Sequence, residues 1–388
     1  MTTATTASVN PVTPLRPRAA YVHVPFCRHR CGYCDFSLVA GRDDLITDYL
    51  AAIERELTRL ESPGLDLATL YLGGGTPSHL GPDGLRRLFD VLHTRLRPLP
   101  EAEVSIEANP GDVTDSLAAA AVACGTTRVS LGGQSLDATT LAALDRDHTP
   151  DDVRRAVDIL LRRGLTVSVD LMTAAPGQTL ADVDRDLEAL VALGTQHVSV
   201  YCLTWEKGTQ FESQRRRGTL RPADESLERS MLERTIDRLE AAGFEHYEVS
   251  NFARPGGRCH HNETYWDCRP WEAFGPGAAR FDGRERITNH RSTTTWMRRV
   301  LAGADFTGDR ETMTPLEAAQ ERVVLGLRRR DGLHRAAFLA ASGLALDDVA
   351  GGSIRRWTAL GLATDDGEQV RLTREGLLVS DGLWAEVL

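Results

Sequence analysis

From Ala20 to about Asn251, short runs of β-branched and aromatic residues alternate with stretches whose apolar residues return every three or four positions. That is the pattern of βα units wound around a parallel sheet. Six units are counted, with strands predicted at Tyr21–Val24, Thr69–Leu72, Val104–Glu107, Arg128–Leu131, Thr166–Leu171 and His197–Leu203. Between the first two, Ile46, Tyr49, Leu50, Ile53, Leu57 and Leu60 share one helix face opposite Glu54, Arg55 and Arg59, and that face is expected to pack on the sheet. Leu227, Met231, Leu232, Ile236 and Leu239 form another such face, and Gly243 after Ala241 and Ala242 predicts a left-handed helix stop. Six units make an open barrel rather than the full eight, so the fold class is α/β, a partial (βα)6 TIM-like barrel over residues 20–252.

Residues 253–310 break the pattern: Gly, Pro and Arg are frequent, Tyr265, Trp266, Trp271 and Phe274 cluster, and no helical period is sustained. They read as an irregular extension across the barrel mouth. Residues 311–388 read as two or three helices, then Leu362–Ala363 and Val370–Leu372 around an Asp366–Gly367 turn, then a last helix. That arrangement is a carboxyl-terminal winged-helix-like domain. Its twelve acids against nine arginines argue for packing or partner contact rather than DNA reading. Residues 1–19 read as a disordered, Thr-rich tail, with only a faint likeness to a transit peptide.

Composition narrows the function. A chain of 388 residues, 41% hydrophobic, buries a large core. Its net charge of -10 and pI near 5.6 give no footprint for nucleic acid. No apolar run reaches the ~20 residues that cross a bilayer, and residues 1–18 lack the apolar core of a secretory signal. No transmembrane segment is expected, and the location expected is cytoplasmic. Seven cysteines, three of them within eight residues, point to metal binding rather than a disulfide framework.

Those three are Cys27, Cys31 and Cys34, directly after the first strand, so three thiolates project from the carboxyl end of the sheet, where βα folds place their chemistry. A structural zinc site wants four protein ligands, and neither His23 nor His29 completes a familiar spacing. Three ligands on a four-iron cluster leave one iron open to chelation. Cys124 and Cys202 read as small buried hydrophobes, while Cys259 and Cys268 leave a second metal site open. The second strand runs into Gly73–Gly74–Gly75–Thr76–Pro77, whose missing side chains let the backbone approach a ligand. Other strand ends present Glu107, Gln134, Arg146 and Asp170, polar groups where apolar strands finish.

The CxxxCxxC spacing with Tyr33 before the third cysteine resembles the radical S-adenosylmethionine (SAM) superfamily, and Tyr21, Gly74, Gly75, Thr76, Glu107, Gln134, Arg146 and Asp170 resemble the nucleotide set of the oxygen-independent coproporphyrinogen III oxidase family. The resemblance implies a [4Fe-4S] cluster on Cys27, Cys31 and Cys34, with SAM held by the glycine run at its amino group and by Arg146 at its carboxylate. It implies one-electron cleavage of the sulfonium to a 5′-deoxyadenosyl radical, with a reducing protein as electron donor.

Two features divide that family. The oxidases carry a fourth cysteine two residues after the third, where this chain has Phe36, and only 26 residues precede Cys27, little room for the oxidases' amino-terminal arm. His261–Asn262–Glu263–Thr264–Tyr265–Trp266 resembles the HNxxYW motif of the haem-chaperone branch. That branch implies haem as cargo and an acceptor protein to receive it, with His261, Asn262, Tyr265 and Trp266 as haem-contacting residues. An imidazole can ligate haem iron while Tyr and Trp pack on the macrocycle. His260 and Cys259 are alternative ligands, and the same motif can instead brace the loop and plug the barrel. The alternative activity is modification of a porphyrinogen, and a third is radical chemistry on an unrelated small molecule. The likeness runs through Gly275–Ala278 and Leu325–Arg328, with two departures: Leu144–Asp145–Arg146 where relatives show LeuGlyArg, and Thr173–Ala174–Ala175–Pro176–Gly177 where they show TyrGlyLeuProGly.

Overall fold

A computed structural model describes residues 16–388, so residues 1–15 of the expected tail lie outside the described residues. The six expected strands are all present: β1 (Ala19–Val24), β2 (Leu65–Gly74), β3 (Leu96–Ala108), β4 (Arg128–Gln134), β5 (Thr166–Thr173) and β6 (His197–Cys202). They pair in that order, all parallel. Short strands β7 (Glu245–His246) and β8 (Asn251–Ala253) extend the β6 edge antiparallel, and β9 (Glu272–Phe274) runs parallel to β1. β1 and β6 each pair with these additions rather than with each other, which leaves the barrel partial.

The strands alternate. Val22, Leu70, Leu72, Val104, Ile106, Val129, Val167, Val169 and Val198 are at most 2% exposed and pack beneath the helices. The intervening positions, including Tyr21, Tyr71, Glu107, Ser130, Asp170 and Tyr201, turn to the lumen, because successive strand side chains point to opposite faces. The outer layer is built by α1 (Ile46–Leu57), α2 (Gly81–His93), α3 (Asp115–Ala123), α4 (Ala138–Ala143), α5 (Pro150–Arg162), α6 (Leu180–Ala192), α7 (Gln210–Arg216) and α8 (Glu225–Ala241). α5 and α6 start on full capping boxes from Thr149 and Thr179. α8 stops where expected, at Gly243 with φ +83°.

The extension is more regular than its sequence suggests. It holds α9 (His260–Trp266), a helix at Thr293–Leu301, and a three-stranded antiparallel sheet of Ala279–Phe281, Glu285–Asn289 and Thr307–Thr312. Most of these elements are too short to show a period, but Thr293, Trp296, Met297 and Val300 are buried at helical spacing, a signal that was missed. Residues 311–388 gather a second core around Trp357, Val323, Leu327 and Val370. Helices Pro315–Leu327, Arg335–Ser342 and Leu346–Ala359 pack there with a three-stranded sheet whose Ala363–Asp365 and Gln369–Leu372 flank the expected turn. Among the described residues no helix is long and apolar enough to cross a membrane.

Candidate functional site

At the carboxyl ends of the strands lies a cavity of about 420 Å³, lined by Cys27, Cys31, Tyr33, Cys34, Gly74, Gly75, Thr76, Glu107, Gln134, Arg146 and Asp170. Residues spread over more than a hundred positions thus meet in one space. Of the nucleotide set named from sequence only Tyr21 stands apart from the wall: its Oη is 3.1 Å from His23 Nδ1 and its ring stacks on Tyr71 at 6.2 Å. The nearby Ser130, Met172, Tyr201 and Cys202 also line the cavity and were missed. Strand alternation was the signal for Ser130 and Tyr201. The expectation that Cys202 is a buried hydrophobe is corrected: it is exposed, because β6 ends at the rim.

The cysteine loop is held from both sides. Phe26–Cys27 pairs with Val39–Ala40, and the Arg30 guanidinium donates to the carbonyls of Cys34, Phe36 and Leu38 at 3.1, 3.3 and 3.1 Å. Cys27 Sγ lies 3.2 Å from Thr76 Oγ1, which joins the loop to the glycine run. Burial pushes the Cys27 thiol up to about 12, so its thiolate needs a cation to replace the proton. Among the described residues no three His, Cys, Asp or Glu side chains converge on one metal ion. Three thiols on one cavity wall fit a cluster held by three thiolates.

Gly74 sits at φ +108°, and a Cβ there would lie 2.3 Å from the His23 ring, so only glycine fits. Its N–H donates to Glu107 Oε2 at 2.8 Å, while Tyr71 Oη donates to Oε1 at 3.1 Å. Burial, with Asp170 nearby, pushes the Glu107 carboxyl up to about 7. Burial likewise raises Asp170 to about 6, although Ser130 Oγ donates to it at 3.1 Å. Arg146 donates from Nη1 to Cys31 Sγ at 3.3 Å and from Nη2 to the Gly132 carbonyl at 3.0 Å, and its buried Nε has no partner. The site therefore offers a buried cation and two desolvated carboxyl groups beside three thiols and a glycine run without side chains. That donor set fits an amino acid nucleotide chelating a cluster.

The two departures from relatives have one explanation. Asp145 has φ +57° and Ala174 φ +61°, the left-handed region that favours glycine, which is the residue of the family pattern this chain resembles at both positions. The Asp145 turn still aims Arg146, and His29 Nε2 secures it on the Asp145 carbonyl at 2.9 Å. At Ala174 the strain of roughly 1–2 kcal/mol exceeds the entropic penalty of glycine, about 0.5–1 kcal/mol. Ala174→Gly is therefore expected to stabilise the fold by ~0.5–1 kcal/mol. A higher urea midpoint is the check; an unchanged or lower one contradicts the strain.

The HNxxYW residues are placed elsewhere, at the amino-terminal end of the barrel, which corrects the expectation that the extension crosses the mouth there. His261, 1% exposed, is bonded at both ring nitrogens: Nδ1 to Thr69 Oγ1 at 2.9 Å and Nε2 to Tyr265 Oη at 2.8 Å. Its ring stacks on Tyr71 at 5.1 Å, and burial lowers it to about 3, so it is neutral. Of the two readings of the motif, haem contact or bracing the loop and plugging the barrel, these contacts match bracing: α9 is the floor of the barrel, and the ring is engaged in holding it. Asn262 and Trp266 are half-buried on the same helix, while the His260 side chain is 66% exposed. Cys259 Sγ lies 3.5 Å from Glu103, and Cys268 belongs to a separate cluster with Phe281 and Met313, so the pair does not form a second metal site.

Residues 21–190 match the model of the radical SAM superfamily, and residues 313–379 match that of the HemN C-terminal domain. The chain is 38% identical to the heme chaperone HemW of Mycobacterium tuberculosis strain H37Rv, over 95% of this chain and 94% of that one. It is 31% identical to the heme chaperone HemW of Bacillus subtilis strain 168, over 96% and 99% of the two chains. In structure it is similar to the coproporphyrinogen III oxidase (HemN) of Escherichia coli, a radical SAM enzyme, with TM-score 0.84 over 97% of this chain and 91% of that one. Their identity is 20%, so that likeness is one of fold.

Proposed function

The chain belongs to the HemW heme-chaperone family within the radical SAM superfamily, and on that premise we propose that it binds haem and passes it to an acceptor protein. The superfamily implies a [4Fe-4S] cluster and SAM. Cys27, Cys31 and Cys34 are the residues to hold the cluster, with Arg146 facing the carboxylate of SAM, the Gly74–Thr76 backbone its amino group, and Glu107, Gln134 and Asp170 its remaining polar groups. Tyr33 covers the loop. When bound, the cluster supplies a low-potential electron, drawn from a reducing partner protein.

The observation that carries this reading is the meeting of the three loop thiols with Glu107, Gln134, Arg146 and Asp170 in one cavity, with Phe36, 59% exposed, two residues after Cys34 where the oxidases carry a fourth cysteine. Haem is assigned to the α9 segment, where His260 is the imidazole offered to solvent and Trp266 the nearest flat apolar surface; the cytosol, where reduced thiols persist, is the compartment that suits it. Titration of the anaerobically reconstituted protein with haem, beside a coproporphyrinogen turnover assay, tests the proposal. A stoichiometric Soret shift without decarboxylation is expected; product formation would sink the chaperone reading in favour of a porphyrinogen-modifying enzyme.

A further inference from the structure

The lumen beneath the cavity is crossed by a continuous path of contacts. It starts on α9, where His261 is fixed between Thr69 Oγ1 at 2.9 Å and Tyr265 Oη at 2.8 Å. The imidazole stacks on Tyr71 with 26° between the planes and 5.1 Å between centroids. Tyr71 Oη donates to Glu107 Oε1 at 3.1 Å, and the other carboxylate oxygen takes the Gly74 N–H at 2.8 Å. A branch leaves Tyr71 through the stacked Tyr21, whose Oη meets His23 Nδ1 at 3.1 Å. His23 Nε2 then reaches the Ser37 carbonyl, on the cysteine loop, at 2.6 Å. Both walls of the cavity, the glycine run and the cysteine loop, are thereby referenced to one imidazole on the floor.

We propose that His261 is a positioning residue of the nucleotide pocket, setting the Tyr71 ring and through its hydroxyl the Glu107 carboxylate against the glycine run. The motif that marks the haem-chaperone branch then serves SAM as well. Two rings stacked on it, His261 at 5.1 Å and Tyr21 at 6.2 Å, restrain Tyr71 in the orientation whose hydroxyl meets the carboxylate; without the imidazole the ring can turn and the carboxylate loses a donor. Glu107 is faced by Tyr71 from β2, Asp170 from β5, Tyr201 from β6, Tyr21 from β1 and Tyr265 from α9. Among them Tyr71 donates a hydrogen bond that favours its ionised form.

The inference rests on the pocket reading above, and titration of the cluster-loaded protein with SAM, followed by the electron paramagnetic resonance of the reduced cluster, tests both. Tyr71→Phe keeps the stack and deletes only the hydroxyl, so a roughly tenfold loss of SAM affinity is expected, the weight of one hydrogen bond to a charged group. The pH at which SAM affinity is half-maximal is expected to move upward in that variant, because Glu107 without its donor titrates higher. His261→Ala is expected to weaken SAM to a similar degree, and His261→Gln, which restores a donor and an acceptor, to recover most of it. Wild-type affinity and pH profile in both Tyr71→Phe and His261→Ala would overturn the positioning role while leaving the pocket reading intact. A wild-type protein that takes up a cluster but no SAM would overturn the pocket reading and the inference together.

Discussion

Replacing Cys27, Cys31 or Cys34 singly by alanine is expected to abolish the four-iron cluster, leaving reconstituted protein with no sulfide and no cluster Mössbauer spectrum. The three sulfurs line one cavity and stand on a loop of eight residues, and three of the other four cysteines lie away from that cavity. Cys124 is on the outer helical layer, Cys259 is against Glu103 at the floor, and Cys268 is in the extension. Cys202 is the one other thiol on the cavity wall, which makes Cys202→Ala the matched control: it is expected to keep its cluster. Two thiolates are expected to hold a cluster too weakly to survive gel filtration, since burial favours the thiol form of Cys27 and Cys34 and bound iron must offset it. An intact spectrum in any of the three variants would remove the chemistry on which the functional reading stands.

Arg146→Met is expected to cost at least about a hundredfold in SAM affinity, since two charge-assisted hydrogen bonds at about 1.5–3 kcal/mol each sum to ~3–6 kcal/mol. Methionine conserves length and apolar bulk, so α4 and the Asp145 turn should hold. The guanidinium is the buried cation of the cavity wall, fixed by the Gly132 carbonyl and Cys31 Sγ, whereas Arg28 on the same wall is 69% exposed and paired with Asp112. A carboxylate entering that space would otherwise meet Glu107, Asp170 and Asp147 without compensation. Arg146→Lys retains charge but loses the planar fork, and is expected to fall between the two. Equilibrium dialysis with reconstituted protein gives the comparison; equal affinities for the wild type and Arg146→Met would show that the arginine serves the loop alone.

The sequence by itself determined the six βα units, the position of the cysteine loop at the end of β1 and three polar strand positions of the cavity wall, Glu107, Gln134 and Asp170, whereas Arg146, read as a strand end, stands on the turn after α4. Each is written in local pattern: apolar period, turn residues and motif spacing act over a few positions, and strands and helices long enough to repeat a period announce themselves. The turn at Asp366–Gly367 and the α8 stop at Gly243 were legible for the same reason. The extension was not, because α9 has seven residues and its strands three to six, lengths at which no period is established. Nor could spacing reveal that His261 is sealed. A buried histidine and an open one share the same letters, and only the stacking of Tyr71 and the bonds from Thr69 and Tyr265, residues up to 192 positions away, close the ring off. What the tertiary structure decided is therefore which polar groups are already spoken for, since burial and partner choice depend on chain segments that meet only after folding.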